Sequence, residues 1–198
     1  MRESDEPLYI ALQAGLTDLA AAYLTEPKIA EKITAAIWIG GGAYPGGGKE
    51  SNLQHDIEAA RILFDSPLPI WQVPLNVYGG MNISFAELVG KVKPCGKVGA
   101  LLAEKMFAVS DFYGSLPIRT EFPHGEIWSI GDQPTVSVLL ENPSGQRYHE
   151  ERAPRILDDM TYGPNPDSRA IRVYDGIDRR LTMDDFFEKL ALCYGSQQ

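Results

Sequence analysis

The chain has 198 residues, of which 44% are hydrophobic and 23% are charged, a composition typical of a soluble globular protein rather than a disordered one. Its formal net charge of −9 argues against a nucleic acid or an anionic membrane as the partner. No apolar run reaches the length of a transmembrane helix, and residues 1–6 do not have the pattern of a signal peptide.

Strands and helices alternate in the first third of the chain. Residues 8–12 and 33–39 are short apolar runs that predict strands, and the second strand is expected to be buried. Residues 16–24 predict a helix capped by Thr17 or Asp18, and residues 56–64 predict an amphipathic helix with Asp56 as its N-cap.

The same alternation continues to the end of the chain, which predicts the α/β class. Length favours one domain spanning residues 1–198, with two small domains as the alternative. The remaining predicted elements are, in order, a strand at 70–78 with an end or bulge at Pro74, a helix at 85–92 with a capping box of Ser84 and Glu87, a helix at 97–112, an irregular segment at 113–130, a short helix at 135–140 headed by Asp132, a hairpin within 154–175, a strand at 169–174, and a helix at 181–193 capped by Thr182.

The two cysteines, Cys95 and Cys193, are far apart and have no metal-type spacing. They are therefore interpreted as free thiols in a reducing, cytoplasmic compartment, with a disulfide between them as the alternative.

A glycine-rich stretch after the strand at 33–39 is the strongest candidate for a ligand site. The strand stops at residues 40–42, three glycines, and three more follow at 46–48 before Glu50 and Asn52. Glycine permits positive φ and close approach of another molecule, and ligands of open α/β sheets bind at the carboxyl ends of strands. The alternative is a tight turn with two solvated polar residues.

Several short motifs in order resemble those of the inosine-uridine preferring nucleoside hydrolases, over nearly the whole chain. They are Leu16-Thr17-Asp18-Leu19-Ala20, Trp38-Ile39-Gly40-Gly41-Gly42, Glu50-Ser51-Asn52 followed by Asp56-Ile57-Glu58-Ala59-Ala60, Pro74-Leu75-Asn76-Val77, Gly131-Asp132, and Ile171-Arg172-Val173. The Glu–Asn pair with its downstream helix is the most specific of them.

The resemblance implies an open, mixed but mostly parallel, Rossmann-like sheet flanked by helices. It also implies Ca²⁺-assisted hydrolysis of the N-glycosidic bond of a nucleoside, with an aspartate as base. On this basis Glu50 and Asn52 would bind the ribose hydroxyls, while Asp132 and the Gln13 carbonyl would be Ca²⁺ ligands. The expected partners are a small nucleoside and further copies of the chain in a homo-oligomer.

Three departures from the family pattern bear on activity. The aspartate-rich amino-terminal motif has no counterpart, so the chain is expected to be the C-terminal portion of the family domain, with an apolar edge exposed beside the strand at 8–12 or at 33–39. Gly131 stands where the family has a histidine, and His124 is expected to be a solvated loop residue rather than a substitute acid. The loop at 44–49 lacks the family's Gly-Asn step.

The catalytic residue is therefore not assigned within this chain. Three functions remain open: a nucleoside hydrolase whose missing segment lies outside this chain, a catalytically incomplete nucleoside- or sugar-binding remnant that needs a partner segment, or a structural fragment that is stable only in an oligomer.

Overall fold

The computed structural model describes residues 6–116, 125–140 and 147–195. The chain divides into two compact units, residues 1–78 with 134–177 and residues 79–133 with 178–198. In chain order the strands and α-helices are β1 (Leu8–Leu12), α1 (Thr17–Thr25), β2 (Ile33–Ile39), α2 (Ser51–His55), α3 (Ile57–Asp65), β3 (Ile70–Val73), α4 (Leu75–Tyr78), β4 (Asn82–Ser84), α5 (Phe85–Glu87), α6 (Gly96–Ser115), β5 (Ile127–Ser129), α7 (Pro134–Leu140), β6 (Arg147–Arg152), β7 (Arg155–Ile156), β8 (Tyr162–Gly163), β9 (Ala170–Gly176) and α8 (Arg179–Tyr194).

The first unit is built on a five-stranded sheet in the order β1-β2-β3-β9-β6. The first four strands are parallel, and β6 pairs antiparallel with β9. Since parallel strands need crossovers, helices follow β1 and β2 and return the chain to the sheet. The predicted mixed, mostly parallel α/β sheet is confirmed.

Helices α1 and α3 cover one face of this sheet. Their apolar residues share a buried cluster with strand residues of β2, β3 and β9. Trp38 belongs to that cluster, and its ring meets Phe64 edge-on with centroids 5.8 Å apart. Trp38 also donates its indole N–H to the Ala14 carbonyl at 3.1 Å, which fixes the segment that follows β1.

Asp56 caps α3, as predicted. Its Oδ1 accepts the Ala59 N–H at 2.9 Å, and its Oδ2 accepts the Thr17 hydroxyl at 2.7 Å. The predicted cap of α1 is wrong, because residue 16, a leucine, occupies the N-cap without a side-chain hydrogen bond and the Thr17 hydroxyl is used by Asp56 instead. Asp56 therefore joins the starts of α1 and α3.

Replacing Asp56 with alanine should lower the free energy of unfolding at neutral pH by about 1 kcal/mol, the usual loss for an N-cap. The Thr17 hydroxyl, and then the Ala59 N–H, lower the pKa of Asp56 below its ordinary 3.8. A carboxyl with a lowered folded-state pKa stabilises the fold above the unfolded pKa and loses that effect as pH falls through the folded one. Urea unfolding at neutral and strongly acidic pH should thus show the difference shrinking in acid. A difference that stays constant with pH would contradict this.

Two segments of the first unit differ from their prediction. Only Ile70–Val73 of the predicted strand 70–78 is extended, and Leu75–Tyr78 forms a helical turn because Val77 and Tyr78 donate their N–H groups to the Pro74 carbonyl. Strand β6 was not predicted, because its polar sequence RYHEER lies at a sheet edge and lacks an apolar alternation. The predicted hairpin within 154–175 is present as β7 and β8.

The second unit contains the antiparallel pair β4–β5 and the helices α5, α6 and α8. The predicted capping box of Ser84 and Glu87 is present, and a π-helical turn, Leu88–Val92, continues the chain after α5. The predicted Thr182 cap of the last helix is wrong. Asp178 caps α8 through the Leu181 N–H at 2.9 Å, because the helix begins at Arg179, two residues before its first apolar residue.

Within the described residues β1 pairs only with β2, so its other edge carries unpaired backbone groups. Leu8 and Tyr9 on this strand are 37% and 43% exposed, in line with the apolar edge expected from the sequence. Cys95 and Cys193 are both free thiols, the first buried and the second exposed. Among the described helices none combines the length and apolarity that crossing a membrane requires.

Candidate functional site

At the carboxyl end of β2, three side chains form hydrogen bonds with the backbone of three successive residues, 39–41. The Ile39 carbonyl accepts from Asn52 Nδ2 at 2.8 Å, and the Gly40 carbonyl accepts from Gln72 Nε2 at 2.9 Å. The Gly41 N–H donates to Glu50 Oε2 at 2.8 Å. Because a strand end leaves backbone groups without ladder partners, these side chains replace the missing hydrogen bonds. The glycine-rich stretch is therefore a fixed structure and not a loosely solvated turn.

Glu50 is only 3% exposed and lies at the start of α2. Its Oε1 accepts the Asn52 N–H at 2.9 Å and the Tyr78 hydroxyl at 2.5 Å. Its Oε2 accepts the Leu53 N–H at 2.9 Å as well as that of Gly41. A carboxylate offers about four lone-pair positions, so protein donors fill them all. Glu50 thus caps α2 and binds the glycine segment, while its sugar-binding role stays a prediction.

Asn52 is half-buried and has a defined orientation. Its backbone N–H donates to Glu50, and its Nδ2 donates to the Ile39 carbonyl. Among the described residues no donor reaches Oδ1, which leaves this amide oxygen available to a hydroxyl. Glu50 and Asn52, predicted as a pair, are thus brought into direct contact.

Gln13 follows the last residue of β1, at the carboxyl edge of the same sheet. Its Nε2 donates to the Thr135 hydroxyl on α7 at 2.9 Å, so its side chain is directed toward that helix. The adjacent Ala14 carbonyl is held by Trp38. The main chain at Gln13 is therefore well fixed, and its predicted role as a carbonyl ligand stays a prediction.

Asp132 lies in the second unit, in the turn that follows β5. Partial burial raises the pKa of its carboxyl above the ordinary 3.8, although much of the side chain is exposed. Gly131 before it provides no side chain, and His124 lies outside the described residues. The family resemblance implies that Asp132 shares one site with Glu50 and Asn52, and this arrangement stays a prediction.

A buried group of one amide and two phenols was missed from the sequence. Gln72, with no exposed surface, accepts the Tyr44 hydroxyl at 2.9 Å and donates to that of Tyr162 at 3.0 Å. Burial raises the pKa of Tyr162 to about 12, and burial, with Tyr162 and Glu151 nearby, raises the pKa of Tyr44 further. Both phenols are therefore protonated at neutral pH. A polar residue within an apolar strand was the only signal in the sequence.

The described residues do not by themselves fit a Ca²⁺ cage. Ca²⁺ takes six to eight oxygen ligands, yet nowhere in residues 6–116, 125–140 and 147–195 do three His, Cys, Asp or Glu side chains gather as metal ligands. The Gln13 carbonyl and the Asp132 carboxylate would supply at most a part of such a set.

Comparisons with known proteins agree on one family. The model of the inosine-uridine preferring nucleoside hydrolases matches residues 1–183. A pyrimidine-specific ribonucleoside hydrolase of Enterobacter sp. is 28% identical over 149 residues, which are 71% of this chain and 44% of that protein. An inosine-uridine preferring nucleoside hydrolase of Leishmania major is 29% identical over 131 residues, 63% of this chain and 40% of that protein.

Solved structures show the same fold. A purine-preferring ribonucleoside hydrolase from Gardnerella vaginalis superposes with a TM-score of 0.69 at 21% identity, covering 90% of this chain and 58% of that one. An inosine-uridine preferring nucleoside hydrolase from Bacillus anthracis gives 0.68 at 17% identity, covering 96% and 61%. The chain spans about two fifths of the length of the curated relatives. Since the family model matches most of the sequence, the chain belongs to the inosine-uridine preferring nucleoside hydrolase family.

Proposed function

We propose that this chain forms the sugar-binding part of a nucleoside hydrolase, which cleaves the N-glycosidic bond of a nucleoside to base and ribose. The observation that carries the proposal is the fixed end of β2, where Asn52 is held in one orientation with its Oδ1 available. An amide oxygen in a fixed position can accept from a ribose hydroxyl, and hydrogen bonds to sugar hydroxyls restrict the geometry of an oxocarbenium-like transition state.

Asn52 and Glu50 would have different roles: Asn52 contacts the sugar, and Glu50 supports the backbone around Asn52. Asn52 would accept a hydrogen bond from the ribose, while Glu50 keeps the Gly41 N–H and the start of α2 in place. Its negative charge would also favour the electron-poor sugar of the transition state. Gly131 cannot protonate the leaving base, a step that general acids typically accelerate by about 10² to 10⁴-fold.

Calcium should bind this chain no more tightly than about millimolar, the weak end of protein sites. The reason is that the Gln13 carbonyl and the Asp132 carboxylate provide three protein oxygens at most, where Ca²⁺ takes six to eight ligands. A bound cation needs the ionised carboxyl, and burial raises the pKa of Asp132, so any affinity should increase as pH rises through that pKa. Calorimetric titration with Ca²⁺ measures this, with Asp132→Asn as the matched variant.

Hydrolysis of inosine or uridine by this chain should be undetectable by chromatography of the released base. Supplying an aspartate-rich segment, in cis or as a peptide, should restore Ca²⁺ binding before it restores turnover. Micromolar Ca²⁺ binding that Asp132→Asn abolishes would falsify the proposal that the metal site of this chain is incomplete, and it would make this chain a candidate hydrolase by itself. Nucleoside binding without turnover, even with that segment, would instead favour a binding protein.

We also infer that the protein is cytoplasmic and that copies of the chain associate through β1. The edge concerned is the one that has no strand partner among the described residues. An uncovered strand edge can pair with another strand, and β1 contains no charged residue that would oppose pairing. Light scattering should give a mass above 21.8 kDa, and Tyr9→Lys should lower it. The exposed Leu24 on α1 offers the control Leu24→Lys, which should leave the mass unchanged. A monodisperse wild-type monomer would contradict the inference.

A further inference from the structure

Gln72 is a fully buried amide in the middle of β3, a position that usually holds an apolar side chain. Burial of an amide is costly unless its polar atoms are hydrogen-bonded. Here Nε2 donates twice, to the Gly40 carbonyl and the Tyr162 hydroxyl, and Oε1 accepts from the Tyr44 hydroxyl. These partners come from two segments, so Gln72 connects the glycine-rich stretch, which contains Gly40 and Tyr44, with Tyr162 of the β7–β8 hairpin.

Gln72 and Asn52 bind the carbonyl oxygens of two adjacent peptide groups. Asn52 binds the Ile39 carbonyl and Gln72 binds the Gly40 carbonyl. Successive carbonyls of a strand point in opposite directions, so the two side chains hold the strand end from its two sides. The two peptide groups share the Gly40 Cα, so loss of the Gln72 contact would remove one of the two side-chain restraints on this residue and leave the Asn52 contact less firmly placed.

The packing at Gly41 leaves little room for such a displacement in the intact protein. A Cβ built on Gly41 would overlap Gln72 Nε2 and the Tyr162 hydroxyl. The rings of Tyr44 and Tyr162 lie with centroids 4.9 Å apart, which closes the other side of the amide. The position of the glycine stretch is therefore set by contact with Gln72 as well as by Glu50.

We propose that Gln72, held by Tyr44 and Tyr162, is a positioning residue that orients Asn52 toward a ribose hydroxyl. The proposal rests on the proposed function for its ligand, since Gln72 itself is buried and touches no substrate. Gln72 would thus affect ligand affinity through its hydrogen bond to the Gly40 carbonyl.

The test compares Gln72→Met with Gln54→Met in the full chain. Methionine has nearly the size of glutamine but forms none of the three hydrogen bonds, and Gln54 is exposed on α2. Two NMR readouts are followed: hydrogen exchange at the Gly41 N–H, and the side-chain amide signals of Asn52. A third readout is the affinity for inosine from calorimetry, in protein supplied with whatever segment the wild type needs to bind it.

Gln72→Met should accelerate exchange at Gly41 by about tenfold or more beyond the change in the remaining β2 amides, and should shift the Asn52 signals. Inosine affinity should fall by about tenfold to a hundredfold, the size of loss that a misplacement of about 1 Å in a positioned group causes. Gln54→Met should match the wild type in all three readouts. Tyr162→Phe, which keeps the ring, should give a smaller change of the same kind.

Unchanged Gly41 exchange and Asn52 signals in Gln72→Met, with only a uniform loss of stability, would overturn the positioning role and leave Gln72 a structural residue. Failure of the proposed function is distinguishable, because it would appear in the wild type as an absence of inosine binding while both NMR readouts still respond to Gln72→Met.

Discussion

Replacing Gly41 with alanine should destabilise the first unit by about 2–6 kcal/mol, because two separate costs add. Gly41 has φ +79°, a left-handed conformation that costs a residue with a Cβ about 1–3 kcal/mol. The new methyl group would also overlap the Gln72 amide and the Tyr162 hydroxyl. Overpacking of this kind costs about 1–3 kcal/mol, and here neither neighbour is a flexible chain end, since each is held by hydrogen bonds.

The matched control for this substitution is Gly46→Ala in the same loop. A Cβ at Gly46 meets no atom within 4 Å, and its φ lies outside the left-handed range. Urea unfolding followed by circular dichroism should therefore place Gly46→Ala within about 0.5 kcal/mol of the wild type. Equal stabilities of the two variants would show that the glycine stretch is not fixed by Gln72 and Tyr162.

The regular elements could be predicted because their signals are local. The strands β1 and β2, the Asp56 cap and the capping box of Ser84 and Glu87 follow from side chains within a few residues of each other. The errors have equally specific causes. The strand end predicted at Pro74 is present, but the Pro74 carbonyl starts a helical turn where the prediction continued the strand. Strand β6 is stabilised by its neighbour β9 without an apolar pattern of its own.

The sequence pairs Glu50 with Asn52 but does not indicate their other contacts. Glu50 and Asn52 were identified as a pair, and they are in contact. The sequence could not indicate that both Glu50 oxygens are filled by protein donors, because one of these donors, Tyr78, is 28 residues away. The contacts of Gln72 with Tyr44 and Tyr162 span 28 and 90 residues, and no local pattern encodes pairings of that range.

Replacing Glu50 with glutamine should destabilise the protein by about 1.5–3 kcal/mol, although the two side chains have almost the same shape. The less costly orientation of a glutamine amide turns its NH₂ toward the Asn52 N–H and the Tyr78 hydroxyl, because that hydroxyl can rotate and accept, whereas the other orientation opposes the N–H groups of Gly41 and Leu53. One bond from a backbone N–H to a charged acceptor is then lost, at about 1.5–3 kcal/mol. Tyr78→Phe also removes one bond and should cost a similar amount, while Glu31→Gln, at an exposed glutamate, should change stability by less than about 0.5 kcal/mol. Urea unfolding of the three variants gives the order directly, and a Glu50→Gln protein as stable as Glu31→Gln would show that Glu50 is not the internal acceptor described above and is available to a sugar.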